Sequence, residues 1–342
     1  MDDLKPSDPR VIGGIELRGR LGEGGMGAVY FGLTADGEQV AVKVIRDAMV
    51  GHQIVRERFN REIKVMDMIR GPGVAGLVAA AAEGEEPPWL AMEYVRGLTL
   101  RQYVEGRGTL AAAMGAALGD LLVEALIAVH TAKLLHRDLK PGNILLGSEG
   151  PKIIDFGLAG LLEALEDQEL TSTNETFGTP VTMSPEQVES AKNLTPAADV
   201  YSLGATLIYA LAGHFPYQRP NKNALFHAIT DSNIAPDLSG LPPTLEPVIV
   251  AMVAHEPASR PTLAEAADEF RRVCKEAGLS PRDARVHLAT LTFVKRDTDP
   301  PSDFDPPSQA WRRRPVTVPV PRPAIQALAD RIRAAYATST RL

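Results

Sequence analysis

Residues 134 to 146, LLHRDLKPGNILL, set His136, Arg137, Asp138, Lys140 and Asn143 between two pairs of leucines. A solvated turn needs no apolar flanks, and a buried turn would leave these polar groups costly and unpaired. The pattern implies a loop pinned at its ends so that its polar side chains can do chemistry. A second chemical stretch lies upstream, where GEGGMG at 22 to 27 is followed by VAVKVI with Lys43.

The glycine stretch admits three readings, and its neighbours choose among them. A P-loop would carry Lys directly after the last glycine, where this chain has Ala28. A dinucleotide fold would continue into a helix, but AVYFGL is β-branched and aromatic. A glycine-rich hairpin remains, with a backbone that can close over phosphates without Cβ clashes. Such a hairpin should lead to a strand bearing a lysine, and Lys43 stands there. An ammonium on a half-buried strand needs an acid to hold it. Glu62, among the helically spaced Phe59, Ile63 and Met66, is the candidate; Glu57, between two arginines, is the fallback.

These groups need elements to position them. Residues 11 to 46 are rich in Val, Ile and Tyr, with the turn ADGE between two runs, and they predict strands. VRERFNREIKVMDMIRG changes to helical spacing and is closed by Gly71-Pro72-Gly73. PPWLAMEYV is strand-like again, and from about 100 to 275 the pattern is mainly helical. A small β-rich part therefore precedes a larger α-rich part. Beyond 276, eight prolines fall between 300 and 323, which predicts an extended or disordered linker. Its last stretch puts Ile325, Leu328 and Ile332 on one helical stripe, either packing back on the domain or docking a partner.

Composition bounds the function classes. The chain has 342 residues, 44% of them hydrophobic, and a net charge of −7, which leaves no electrostatic footprint for nucleic acid. The single cysteine, Cys274, forms no internal disulfide. The longest nearly apolar run is read as VYSLGATLIYALAG, which is shorter than the roughly 20 residues that span a bilayer. No signal peptide opens the chain. The expectation is a cytoplasmic protein without a membrane segment.

HRDLKPGN at 136 to 143, DFG at 155 to 157 and SPE at 184 to 186 follow the glycine loop and Lys43 in order. Together they resemble the protein kinase signature set. Lys140, two residues after Asp138, is similar to serine/threonine rather than tyrosine kinases. GEGGMGAVY, HRDLKPGNILL and MSPEQ look like the eukaryotic-like kinases of bacteria. The resemblance implies an α+β, two-lobed protein kinase fold over residues 11 to 275. Its small β-rich N-lobe, with one key helix, would cover 11 to 95, and its larger helical C-lobe 96 to 275. Residues 1 to 10 would be disordered, and 276 to 342 a Pro-rich tail with a short amphipathic helix.

The same resemblance implies roles. Asp138 orients or accepts the proton of a substrate hydroxyl, Lys140 steadies the transferring phosphate, and Asn143 with Asp155 holds Mg²⁺, with Mn²⁺ as an alternative. Lys43 binds the α- and β-phosphates of ATP, aided by Glu62. Leu21, Gly22, Gly24 and Gly27 form the loop above the nucleotide, and Val29, Ala41 and Leu145 sandwich adenine. Met92 backs the pocket, and Glu93 and Val95 belong to the hinge. Thr179 lies by the catalytic aspartate. Asp199 ties the long central helix to the His136–Arg137 turn, and Glu186 with Arg260 braces the large lobe.

Control of activity is implied as well. Thr171, Ser172, Thr173 and Thr176 stand where related kinases autophosphorylate, and Arg137 could clamp a phosphothreonine bidentately. A polar loop with no switch is the alternative. Departures from the family are Thr182 in place of Tyr, Ser184 in place of Ala, and Gly142 where arginine-directed kinases often carry Glu. All bear on the choice of protein substrate. An ATP-binding scaffold acting through tail-docked partners and a small-molecule phosphotransferase are the competing classes. A regulatory partner at the tail and a transient dimer are further expectations.

Overall fold

The structure is a computed structural model. It describes residues 1–24, 27–45, 63, 66, 69, 71, 73–82, 84–155, 180–189 and 194–291. These fall into two compact units, one holding 1–95, 128–137 and 154–155, the other 96–127, 138–153 and 180–291.

The first unit is a six-stranded antiparallel sheet, in the order β1-β2-β3-β4-β6-β5. Its strands are β1 (Val11–Ile12), β2 (Ile15–Gly24), β3 (Gly27–Leu33), β4 (Gln39–Ile45), β5 (Leu77–Ala80) and β6 (Trp89–Glu93). Side chains alternate between the two faces of a strand, so register decides which residues share a surface. One face carries the core: Ile12, Ile15, Leu17, Tyr30, Val40, Val42, Trp89 and Ala91. The intervening positions, Val29, Ala41, Lys43 and Met92, must therefore share the other face. Val29 lies opposite Lys43, and Ala41 opposite Met92. Of the expected helix after β4, Ile63 and Met66 are described as helical.

The first ten residues differ from expectation. They do not trail away from the fold but lie against β2. The Asp2 amide donates to the Arg20 carbonyl at 2.9 Å, and the Arg20 amide returns the bond at 2.8 Å. Asp8 is buried against Arg20 and Tyr30. An acidic, Pro-broken opening reads locally as solvated; the cation that holds it is twelve residues away.

The second unit joins β7 (Gly97–Thr99), β8 (Ile144–Gly147) and β9 (Gly150–Ile153) in a small sheet. Its helices are α1 (Leu100–Arg107), α2 (Ala112–Thr131, which continues into the first unit), α3 (Pro185–Val188), α4 (Pro196–Ala212), α5 (Lys222–Thr230), α6 (Glu246–Met252), α7 (Leu263–Glu276) and α8 (Pro281–Leu291). Caps set several ends. Thr99 with Gln102 and Thr262 with Glu265 form capping boxes, and Gly213, at φ +83°, closes α4. Every residue of α4 from Ala198 to Leu211 is buried, which makes it the central helix of this unit.

Two expectations are corrected here. The start of the expected tail is helical: α8 packs on β8 and β9, buries Ala284 and Leu288, and pairs Arg285 with Glu124 at 2.6 Å. The Pro-rich segment and the Ile325–Ile332 stripe lie outside the described residues. Among the described residues the longest apolar helix is α2, not the run in α4; by length and composition α2 could cross a membrane. Ala116, Leu118, Leu122 and Leu126 are fully buried, and Asp120 meets Arg271 at 2.9 Å, as befits a core helix. Asp120 and Glu124 break the apolar string in sequence, although they sit on its paired flank.

Glu186 and Arg260 meet in the second unit. Arg260 places Nη1 and Nη2 at 2.5 and 2.8 Å from the Glu186 carboxylate and spends its other donors on the Ala254, Ala197 and His255 carbonyls. Burial would raise the Glu186 carboxyl, but the Arg260 hydrogen bonds and charge outweigh it and hold it below the usual range. Removing one partner leaves the other buried and uncompensated. Glu186→Gln should therefore cost about 3 kcal/mol in denaturant unfolding. The unfolded carboxylate takes its proton near pH 4.3, above the folded value, so this contribution is present at neutral pH and fades as pH falls below about 4.3. The variant should lack that component of acid sensitivity; parallel pH profiles for the two proteins would contradict it.

Candidate active site

The first unit holds Lys43. Lys43 is 7% exposed, and its ammonium lies 2.9 Å from Asp155 Oδ1. A buried ammonium is tolerable only with such a partner. Glu62, the acid expected there, lies outside the described residues. Asp155 adopts φ +59° and Arg137 φ +64°, a region that L-residues other than Asn and Asp seldom occupy. For Arg137 the conformation costs about 1–2 kcal/mol, which the surrounding contacts must offset. Part of that surround is His136, fully buried, with Nε2 3.2 Å from the Ile154 carbonyl oxygen.

Above Lys43 in the register stand Val29 and then Gly22. Gly27 is required by sterics: at φ +152° a Cβ would lie 1.8 Å from the Val44 carbonyl oxygen. Gly22 and Gly24 are different, since a Cβ on either would meet open space. Leu21 is half-buried within β2, between Arg20 and Gly22. Along the other edge, Met92 is buried beside Ala41, and Val95 is buried. The Glu93 amide donates to the Gly76 carbonyl at 2.8 Å, and the Tyr94 amide to Gln39 at 3.3 Å. Phe31 and Tyr94 meet edge-on at 4.8 Å, an aromatic contact the sequence reading did not single out.

The second unit holds Asp138. Leu139, Ile144 and Leu146 are fully buried, and a 3₁₀ turn at Pro141–Asn143 reverses the chain between them. These anchors leave Asp138 and Lys140 half-buried, with Lys140 Nζ 2.7 Å from Asp138 Oδ2. Asn143 donates Nδ2 to the Asp138 carbonyl at 2.8 Å and to Oδ2 at 3.0 Å. Asn143 is buried, and with Nδ2 committed to Asp138 its remaining acceptor is Oδ1. Leu145 pairs with Thr99 and Lys152, on the strand face opposite the buried Ile144 and Leu146. Asp199 is fully buried in the first turn of α4. Ser202 Oγ donates to the Thr182 carbonyl at 2.8 Å, and Ser184 caps α3 against Gln187.

The structure thus groups Lys43 with Asp155, and Asp138 with Lys140 and Asn143. Thr171, Ser172, Thr173, Thr176 and Thr179 lie outside the described residues. The Lys43–Asp155 pair could have been found in sequence only by weighing Asp155 as an ion-pair partner as well as a metal ligand.

This arrangement is that of a kinase. The profile of the protein kinase domain matches residues 15–270, and the chain belongs to the protein kinase family. Over 266 residues it is 40% identical to the serine/threonine-protein kinase AfsK of Streptomyces coelicolor, covering 78% of this chain and 32% of that protein. It is 37% identical over 265 residues to the probable serine/threonine-protein kinase PkwA of Thermomonospora curvata, covering 78% and 35%. The chain thus spans about a third of the length of these curated relatives. Among solved structures, the PknI kinase domain of Mycobacterium tuberculosis superposes with a TM-score of 0.60 at 26% identity, over 77% of this chain and 97% of that one. The fold is the two-lobed protein kinase fold, and the chain is a bacterial, eukaryotic-like serine/threonine kinase by family.

The two kinds of glycine can be told apart. Gly27→Ala should lower stability by about 1–3 kcal/mol, because the β3–β4 ladder must shift to clear the Val44 carbonyl. Gly24→Ala should leave the melting temperature near that of the wild type. Equal melting temperatures for both variants would contradict this distinction.

Proposed function

We propose that the chain transfers the γ-phosphoryl group of ATP to serine or threonine hydroxyls of proteins. The observation that carries this reading is the Asp138 carboxylate, held by Lys140 and Asn143 in a loop whose apolar ends are buried. A carboxylate so fixed can orient the acceptor hydroxyl and take its proton. The hydroxyl oxygen then bonds to the γ-phosphorus as the bond to the bridging oxygen breaks, and ADP leaves with that electron pair. Lys140 carries positive charge beside the same carboxylate, where it can steady the phosphoryl oxygens in flight. Lys43 can bind the α- and β-phosphates, and the apolar Val29, Ala41, Met92 and Leu145 suit the faces of adenine.

By chemistry, Asn143 of the second unit and Asp155 of the first would each suit Mg²⁺. Asn143 Oδ1 and the Asp155 carboxylate are hard oxygen donors, and Mg²⁺ favours one or two such ligands with substrate phosphates completing the shell. When bound, the ion would neutralise phosphate charge. Asp155 would then exchange part of its pairing with Lys43 for the metal, freeing the ammonium for phosphate.

Control would come through Thr171, Ser172, Thr173 or Thr176, with the Arg137 guanidinium as the phosphate clamp and Thr171 or Thr173 as the deciding site. Gly142 faces open space where arginine-directed relatives would carry an acid, which favours only a weak preference for basic residues before the acceptor. Use of ATP fits a cytoplasmic location.

Phosphatase-treated protein incubated with labelled ATP and Mg²⁺ should incorporate phosphate, and mass spectrometry should find it within Thr171–Thr176. Asp138→Asn should lower the rate by at least about a hundredfold with nucleotide affinity retained. No incorporation by the wild type, with nucleotide still bound, would favour a scaffold. Unchanged activity in a Thr171→Ala/Thr173→Ala variant would remove the switch from the account.

A further inference from the structure

The back of the glycine-rich strand is gripped by the start of the chain. Lys5 to Asp8 form a turn, with the Asp8 amide donating to the Lys5 carbonyl at 3.0 Å and the Lys5 amide to Asp8 Oδ2 at 2.8 Å. Pro6 stands at the second turn position, where its fixed φ suits the geometry. The Asp8 carboxylate, 4% exposed, also accepts Arg20 Nε at 2.9 Å, Arg20 Nη2 at 3.0 Å and the Tyr30 hydroxyl at 3.0 Å. Arg20 in turn reaches forward with Nη1 to the carboxylate of Glu23, which also accepts Lys5 Nζ at 3.1 Å. Glu23 is the residue between Gly22 and Gly24.

Register explains how Arg20 and Glu23 come to share a face. Three residues apart on a regular strand, they would point to opposite sides. A bulge between Arg20 and Gly22 shifts the ladder, so Arg20 lies opposite Tyr30 and Glu23 opposite Ala28. Tyr30 and Ala28 belong to the core face, away from Lys43. The bulge therefore turns the Glu23 carboxylate to the back of the sheet, where Lys5 and Arg20 are waiting.

We propose that Arg20, anchored by Asp8 and assisted by Lys5, is a positioning residue for nucleotide binding: it holds the Glu23 carboxylate behind the glycine loop and away from the phosphates. The inference rests on the nucleotide-binding reading above. Without the grip, an acid in the middle of the loop is free to swing toward the phosphate side, where like charges repel. The Asp8–Arg20 pair also holds the start of the chain on β2, so stability is followed beside affinity.

The test is the affinity of full-length protein for a non-hydrolysable ATP analogue, by calorimetry, beside thermal melting. Asp8→Asn/Arg20→Gln neutralises both members of the buried pair, so no unpaired charge is left inside. It should weaken binding about fivefold, the scale of one partly screened charge brought near the phosphates. Adding Glu23→Gln should return affinity to within about twofold of wild type without restoring the melting temperature, because the harm is the released charge. Lys5→Gln alone, at an exposed pair, should give a smaller, salt-sensitive weakening. Unchanged affinity in the double variant would overturn the proposal. So would weakening that Glu23→Gln fails to reverse, since affinity would then track stability. A wild type that binds no nucleotide would overturn the kinase reading and this inference together. One that binds but transfers no phosphate would overturn only the former.

Discussion

A buried ammonium has to be met by a carboxylate, and much of the first unit is arranged around that requirement. Taking one such charge out of water costs several kcal/mol after relaxation, so Lys43 at 7% exposure is stable only beside Asp155. Sheet parity delivers the lysine: Val40, Val42 and Val44 turn to the Tyr30–Trp89 side, which leaves Lys43 and Ala41 on the other face. A shift of one residue in the β3–β4 ladder would bury the ammonium in the apolar core instead. Gly27, whose missing Cβ lets the Val44 carbonyl approach, guards that register.

The second unit answers to a similar constraint. Arg260 is a guanidinium with no exposed side-chain surface, satisfied by Glu186 and three carbonyls while it stacks 5.0 Å from the Tyr201 ring. This junction ties the start of α4 to the turn before α7. In both units a buried cation and a nearby acid fix the local geometry, and the apolar packing around each excludes alternatives. The catalytic loop uses the converse device, in which Leu139, Ile144 and Leu146 carry the burial and the polar groups between them are left to meet solvent or substrate.

Much of this was legible in the residues. The alternation in AVYFGL and QVAVKVI placed Lys43 on a strand, and the leucine-flanked HRDLKPGN placed Asp138 and Asn143 in one rigid loop. What local pattern could not show were long-range partners. Asp155 lies 112 residues from Lys43, and its DFG context points first to a metal. Asp8 looked like one more solvated acid because Arg20 and Tyr30 are distant in sequence. Asp120 and Glu124 interrupt the apolar run of α2 in sequence, although Arg271 pairs with the first and Arg285 with the second. The helix beyond 275 is hard to read in sequence because PRDARVHLATL is mostly polar and buries Ala284 and Leu288.

On the proposed function, Asp155 would serve two cations in turn, Lys43 without nucleotide and Mg²⁺ with it. Titration of a non-hydrolysable ATP analogue into the wild type and Asp155→Asn, each with and without Mg²⁺, tests it most directly. The account predicts that Mg²⁺ tightens binding by the wild type about tenfold or more and leaves Asp155→Asn nearly unaffected. The same Mg²⁺ response in both proteins would contradict it.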